Sequence, residues 1–223
     1  MRYIWTQSKR HLKDPGSALT HFIGMLLTIF GIAPLLLKSI NGAHPEGVYS
    51  LAIFMISMVL LYGASTIYHS FNISKEINTR LRKLDHAMIF ILIAGSYTPV
   101  CALVLKGALG RNLLICIWSI AILGILFKMC WITCPHWLSS AMYILMGWAV
   151  VFAFKPLLAT LSKPAFLWLL AGGIIYTIGG VIYALKLPIF NQRHKYFGSH
   201  EIFHLFVMGG SLCHFIFMYQ YIA

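Results

Sequence analysis

Acidic residues are scarce in this chain: 5 Asp or Glu stand against 17 Lys or Arg, and only 10% of the 223 residues are charged. An ordinary soluble domain is about 25% charged and about 45–50% apolar. Here 60% of the residues are hydrophobic and the mean hydropathy is +0.81, which excludes a water-soluble globular enzyme. The formal net charge of +12 does not make a nucleic-acid binder, because such proteins gather their basic residues on one water-facing patch, whereas almost every window of this chain is oily. No nucleic-acid partner is therefore expected. The sequence also lacks a phosphate-binding G-x-x-x-x-G-K-[ST] loop, a G-x-S-x-G nucleophile elbow and a C-x2-C pair. Its five cysteines, Cys101, Cys116, Cys130, Cys134 and Cys213, are odd in number and suggest no disulfide framework. The class that fits is an all-α membrane protein with several spans.

A spanning helix needs about 20 apolar residues, so seven of them use roughly 140–150 and leave about 75–80 for ends and connections. Seven apolar runs can be read: Ala18–Leu37, Val48–His69, Leu84–Leu105, Leu113–Met129, Leu138–Phe154, Phe166–Leu185 and His200–Ile222. Breakers and charges separate them at Asn41–Gly47, Ser74–Lys83, Lys106–Arg111, Cys134-Pro135, Leu161–Pro164 and Lys186–Gly198. The expectation is one domain, residues 1–223, folded as a polytopic seven-helix bundle. Met1–Gly16 does not read as a cleaved signal, because a full span follows it rather than a short apolar core and a small-residue cleavage site.

The basic residues orient the bundle. With a cytoplasmic N-terminus, Arg2, Lys9, Arg10, Lys13, Lys75, Arg80, Arg82, Lys83, Lys128, Lys186, Arg193 and Lys195 are inside, and Lys38, Lys106, Arg111, Lys155 and Lys163 are outside. A bias of 12 against 5 in short loops specifies a cytoplasmic N-terminus and an outside C-terminus.

An ionisable side chain within a span is costly, so each one is a functional hypothesis. The topology puts His21, His69, Asp85, His200 and His204 at one depth, near the cytoplasmic face. The two His of His200-Glu-Ile-Phe-His204 lie about 40° apart around a helix and one turn along it, so both reach one ion. Ser65-Thr-Ile-Tyr-His69 adds a third imidazole, with a hydroxyl one turn deeper. Three His plus one open position is a catalytic zinc arrangement, which lowers the pKa of water to about 7. His69, His200 and His204 are thus the candidate Zn2+ ligands, and Asp85 and Ser65 the candidate catalytic residues. Asp85 would hydrogen-bond the water or a ligand His, and Ser65 would orient the water or a carbonyl. Glu201 points about 100° away from His200, His86 reads as interfacial, and His21 is at most a supporting partner. His214 lies about 15 Å deeper than His204 along the helix. With Ser211 it forms a polar stripe, read as interhelical hydrogen bonding in preference to a water-lined cavity. Cys130-x3-Cys134-Pro-His136 has the wrong spacing for a metal site. Gly172-Gly173, Gly179-Gly180 and Gly209-Gly210 read as packing surfaces, Pro99 as a kink, and Trp118, Trp137, Trp148 and Trp168 partly as interfacial anchors.

Taken together, these segments resemble the bacterial hemolysin III family, the prokaryotic branch of the progestin and adipoQ receptor superfamily. The resemblance runs end to end: Pro15-Gly-Ser-Ala-Leu-Thr-His21, Ser65-x3-His69, Lys83-Leu-Asp85-His86, Gly95-Ser-Tyr-Thr-Pro99, Pro135-His-Trp137, Tyr143-Ile-Leu-Met-Gly-Trp148, Gly172-Gly-Ile-Ile-Tyr176, His200-Glu-Ile-Phe-His204 and Gly210-Ser-Leu-Cys-His214. It implies seven spans with a cytoplasmic N-terminus in the cell membrane. It further implies zinc on His69, His200 and His204 with Asp85 nearby, as in the receptor relatives. The distantly similar alkaline ceramidases use a comparable His, Asp and Ser set on a lipid amide. Many members carry an acidic residue upstream of the span 1 His; here Asp14 is followed by Pro15, and no role is carried over to it. The leading expectation is a zinc-dependent, hydrolase-like or lipid-sensing membrane protein with membrane lipid as substrate or ligand. The alternatives are a pore-forming cytolysin or channel, and a non-catalytic metal-stabilised sensor.

Overall fold

A computed structural model of the chain describes residues 12–42, 45–105, 107–185 and 198–223. Seven stretches in it are long and apolar enough to cross a membrane. They are α1 (Pro15–Ile40), α2 (Val48–Ser70, led by a 3-10 turn), α3 (Lys75–Pro99), α4 (Ala108–Cys130), the pair α5 (His136–Gly147) and α6 (Phe154–Thr160), α7 (Lys163–Leu185) and α8 (Ser199–Phe217). The protein is a seven-helix membrane bundle, and no strand occurs among the described residues. Of the basic residues that suggest its orientation, Arg2, Lys9, Arg10, Lys106, Lys186, Arg193 and Lys195 lie outside the described residues.

Large apolar side chains coat the outside, with Phe152 83% and Phe30 76% exposed, as a hydrocarbon solvent permits. The buried centre holds Phe54, Tyr62, Phe90, Ile117 and Phe217. It also encloses many hydroxyls, which bond mostly back to their own helix: Thr28 to Gly24, Ser57 to Phe54 and Thr98 to Ala94.

Two segments depart from the sequence reading. The charged stretch Ser74–Lys83, read as a connection, is instead the first turns of α3. The Ser74 hydroxyl caps it by accepting the Ile77 N–H at 3.2 Å, Glu76 sits in the first turn, and no Gly or Pro interrupts the stretch. Hydropathy marks where a helix enters lipid, not where it starts. The fifth span is not one regular helix: α5 gives way to a 3-10 segment, Trp148–Ala153, before α6. Tyr97 of α3 serves that break. Its hydroxyl donates to the Gly147 carbonyl at 2.6 Å and accepts the Val150 N–H at 2.7 Å, pairing backbone groups that lipid could not satisfy. At Pro99, read as a kink, α3 passes into a π-helical turn, Val100–Val104.

The tryptophans divide. Trp137 is 62% exposed, whereas Trp118 and Trp148 point inward and donate to Thr98 and Thr177 of neighbouring helices. At the α7–α8 contact, Gly172 and Gly210 let the backbones close up, and a Cβ on Gly210 would stand 2.8 Å from the Tyr176 ring. All five cysteines are free.

Candidate metal centre

Three helix ends converge on one side of the bundle. The backbone fixes the first pair: Asp14, just ahead of α1, donates its N–H to the His69 carbonyl at the end of α2, 2.9 Å away. Glu201 fixes the second. It accepts the Ser17 hydroxyl of α1 at 2.6 Å and the Gly198 N–H at 2.8 Å, which pins the start of α8 to α1. Glu201 thus faces away from His200, as its helical angle requires.

These two clamps bring His69, His200 and His204 together, and one nitrogen from each lies within 4.8 Å of the other two. The Nε2 atoms of His69 and His200 are 3.1 Å apart. Two nitrogens on one tetrahedral zinc, at about 2.0–2.1 Å each, stand about 3.3 Å apart, so the donor set fits that ion. The outward nitrogens of His69 and His204 are engaged elsewhere, which aims their other nitrogens inward. His69 Nδ1–H donates to Asp14 Oδ2 at 3.0 Å. His204 Nδ1–H faces the Ser17 carbonyl at 3.3 Å, with the Thr20 hydroxyl 3.2 Å away. Metal-binding imidazoles characteristically use their second nitrogen in this way. The hydrogen bond from His69 holds the Asp14 carboxyl below its ordinary pKa, outweighing the opposing effect of partial burial.

Asp14 is the site residue to which sequence reasoning assigned no role. The signal was present: Pro15 at the first helical position makes Asp14 the N-cap residue, level with His69 in the seven-span topology. Its side chain makes no capping bond and turns to the imidazole instead. Thr20 and Ser17 carried no comparable signal, because a hydroxyl at a helix start is ordinary.

Asp85 and Ser65 line the same cavity as His200 and His204, which has a volume of about 140 Å3. Asp85 is buried and within electrostatic reach of His69, yet among the described residues it makes no hydrogen bond to any of the three imidazoles. His86, read as interfacial, is on the cavity wall with Nδ1 3.7 Å from Asp85 Oδ2. His21 stacks flat on His204, the ring centroids 3.6 Å apart and the planes 8° from parallel. The stripe of α8 divides in two. Ser211 takes the expected interhelical bonds, at 2.7 Å from the Tyr62 hydroxyl and 2.8 Å from that of Tyr176. His214 makes no such bond and faces the cavity, contrary to the expectation. The Cys130/Cys134/His136 set does not converge: Cys130 is exposed, and Cys134 accepts from the buried Lys128 ammonium at 3.1 Å.

A model of the family described as haemolysin-III related matches residues 10–215, a stretch that contains every residue of this site. The chain belongs to this family. The "Hemolysin-3 homolog" of Bacillus subtilis (strain 168) is 40% identical over 203 residues, which cover 91% of each chain. "Hemolysin-3" of Bacillus cereus is 37% identical over 211 residues, 94% of this chain and 92% of that protein. The "Adiponectin receptor protein" of Drosophila melanogaster is 26% identical over 230 residues, 91% of this chain and 49% of the receptor, in keeping with the wider progestin and adipoQ receptor superfamily. This haemolysin-III-related chain is therefore a multi-pass protein of the bacterial cell membrane.

Proposed function

We propose that this protein is a zinc-dependent, hydrolase-like protein acting on an amide or ester of membrane lipid at the cytoplasmic end of its cavity. One observation carries the reading: three imidazoles from two helices converge, and the second nitrogens of His69 and His204 are engaged outside the cluster by Asp14, Ser17 and Thr20. His69, His200 and His204 would hold the ion, which when bound supplies a Lewis acid able to acidify water and polarise a carbonyl. The chain's own groups account for the rest. Asp85, buried on the cavity wall, accepts a proton from the attacking water and passes it to the departing amine or alcohol as the acyl bond breaks. The Ser65 hydroxyl, buried beside Asp85, donates to the lipid carbonyl and orients it. The largely apolar cavity takes the lipid chain and keeps bulk water from the reacting atoms.

Purified protein is expected to contain about one zinc per chain, lost in His69→Ala and His204→Ala. Full occupancy in both variants refutes the site. Asp85→Asn is expected to keep its zinc and lose turnover of ceramide-like or phospholipid substrates by about 100- to 10,000-fold. Bound zinc without turnover in the unaltered protein would instead support the non-catalytic sensor. The names of the two Bacillus relatives motivate a second reading, membrane lysis. Lysis of cells by purified protein, undiminished by the His substitutions, would favour it.

A further inference from the structure

The cavity does not end at the histidine cluster. Beyond the level of His214 a second chamber continues, lined by Val100, Phe154, Phe166 and Leu170, and it shares Ser96, Tyr97, Trp148 and His214 with the first. Those four carry the polar side chains of a waist between the two, which Gly147 and Gly173 complete. Three of them have their donors committed to the protein: Ser96 donates to the Ile93 carbonyl, Tyr97 to Gly147 and Trp148 to Thr177. The fourth does not. His214 is buried, and neither ring nitrogen reaches a partner; the Leu169 carbonyl approaches the ring outside hydrogen-bonding geometry. A buried polar group left unpaired costs about 1–3 kcal/mol, so such a group calls for an explanation.

The ring is seated rather than loose. Gly172 leaves the space that the imidazole occupies, and a Cβ there would collide with it. Tyr176, one turn along α7, meets the ring edge to face at a centroid distance of 5.4 Å. A buried water needs 2–4 polar partners, and this waist offers one with a free donor and acceptor. A single hydrogen-bonding oxygen on an otherwise apolar chain suits it better. His214 follows His204 by ten residues of α8, about 15 Å along the axis. No acidic side chain shares the waist, so a neutral oxygen fits better than a cation.

We propose that His214 is a second polar anchor, which binds the hydroxyl or keto oxygen of a lipid chain oxygenated near its middle. The polar head of that lipid lies at the histidine cluster and its tail fills the chamber beyond the waist. This deepens the lipid reading above and rests on lipid occupying the cavity, but not on hydrolysis.

The test is displacement of a fluorescent fatty acid from the full-length protein in detergent, by stearate, by stearate hydroxylated at mid-chain and by stearate hydroxylated at its terminus. The mid-chain hydroxy acid is expected to bind about tenfold tighter than stearate, the worth of one hydrogen bond in a dry site. His214→Leu is expected to erase that ratio and His214→Gln to keep part of it. Equal affinity of the two acids for the unaltered protein overturns the anchor, as does a ratio that survives His214→Leu or a preference for the terminal hydroxyl. If neither acid displaces the probe, the lipid reading fails with it, while zinc content remains a separate measure of the metal site. Should His214→Leu not fold, the three-acid comparison and His214→Gln still decide.

Discussion

Replacing Asp14 by Ala should weaken zinc binding while leaving the bundle folded. The side chain makes no helix-capping bond, and its strongest interaction is the 3.0 Å hydrogen bond from His69 Nδ1–H. That bond fixes the tautomer presenting Nε2 to the cluster and makes the imidazole a better donor. Partners of this kind are worth about 10- to 100-fold in metal affinity. Asp14 is 45% exposed at its side chain, so solvent weakens the interaction and the lower end applies: about tenfold, or about 1.4 kcal/mol. The same hydrogen bond keeps the Asp14 pKa below its ordinary value, so the carboxylate is fully charged at pH 7 and stays so under mild acid. Asp14→Asn keeps an acceptor without the charge and should fall between Asp14→Ala and the unaltered protein. Competition against a chromophoric chelator in detergent at pH 7 measures these constants, with helical circular dichroism as the folding control. Affinity of Asp14→Ala within about twofold of the unaltered protein would refute the argument that this carboxylate positions His69.

Four further outcomes follow from the metal site and from other parts of the bundle. Chelation should lower the thermal midpoint of the unaltered protein and leave that of His204→Ala unmoved, because zinc at 100 times its Kd adds about 2.7 kcal/mol to the folded state; equal midpoint losses would place the metal elsewhere. Ser139→Ala should destabilise by about 1–3 kcal/mol, since its hydroxyl lies 2.5 Å from the Lys128 ammonium, which among the described residues has no acidic partner. Lys128→Met, which removes the buried charge and keeps the volume, should be near neutral in the same unfolding assay. Gly124→Ala should cost about 1–3 kcal/mol, read as a lower midpoint, because a Cβ there collides with the fully buried Phe90 ring.

How far the site was legible depends on the kind of signal. His200 and His204 could be paired from spacing alone, since i and i+4 meet on any helix. Adding His69 and Asp85 required only a count of spans, because alternating helix direction assigns a depth to each residue. Asp14 escaped because its contact is made across α1 and α2 by a side chain that would ordinarily cap its own helix. His214 was read as an interhelical bond, and the structure gives that bond to Ser211 instead. One turn of helix separates the two positions too little for a sequence to say which meets a hydroxyl and which meets a cavity. The limits of α3 and the break after Gly147 were likewise hidden, because hydropathy reports the solvent around a helix and not the hydrogen bonds within it.

The sequence by itself determined that this protein lives in a membrane, that it crosses seven times, and that a few ionisable residues share one level of the bundle. Those follow from composition and from the period and number of apolar runs, which no packing can alter. Only the tertiary structure decided which nitrogens face one another, that Asp14, Ser17 and Thr20 aim them, and that the free space continues past His214 into a second chamber. The reason is physical: one residue of helix turns a side chain by about 100°, so small choices of helix rotation and close approach, set by contacts such as Gly172 against His214, separate a site from a packed core.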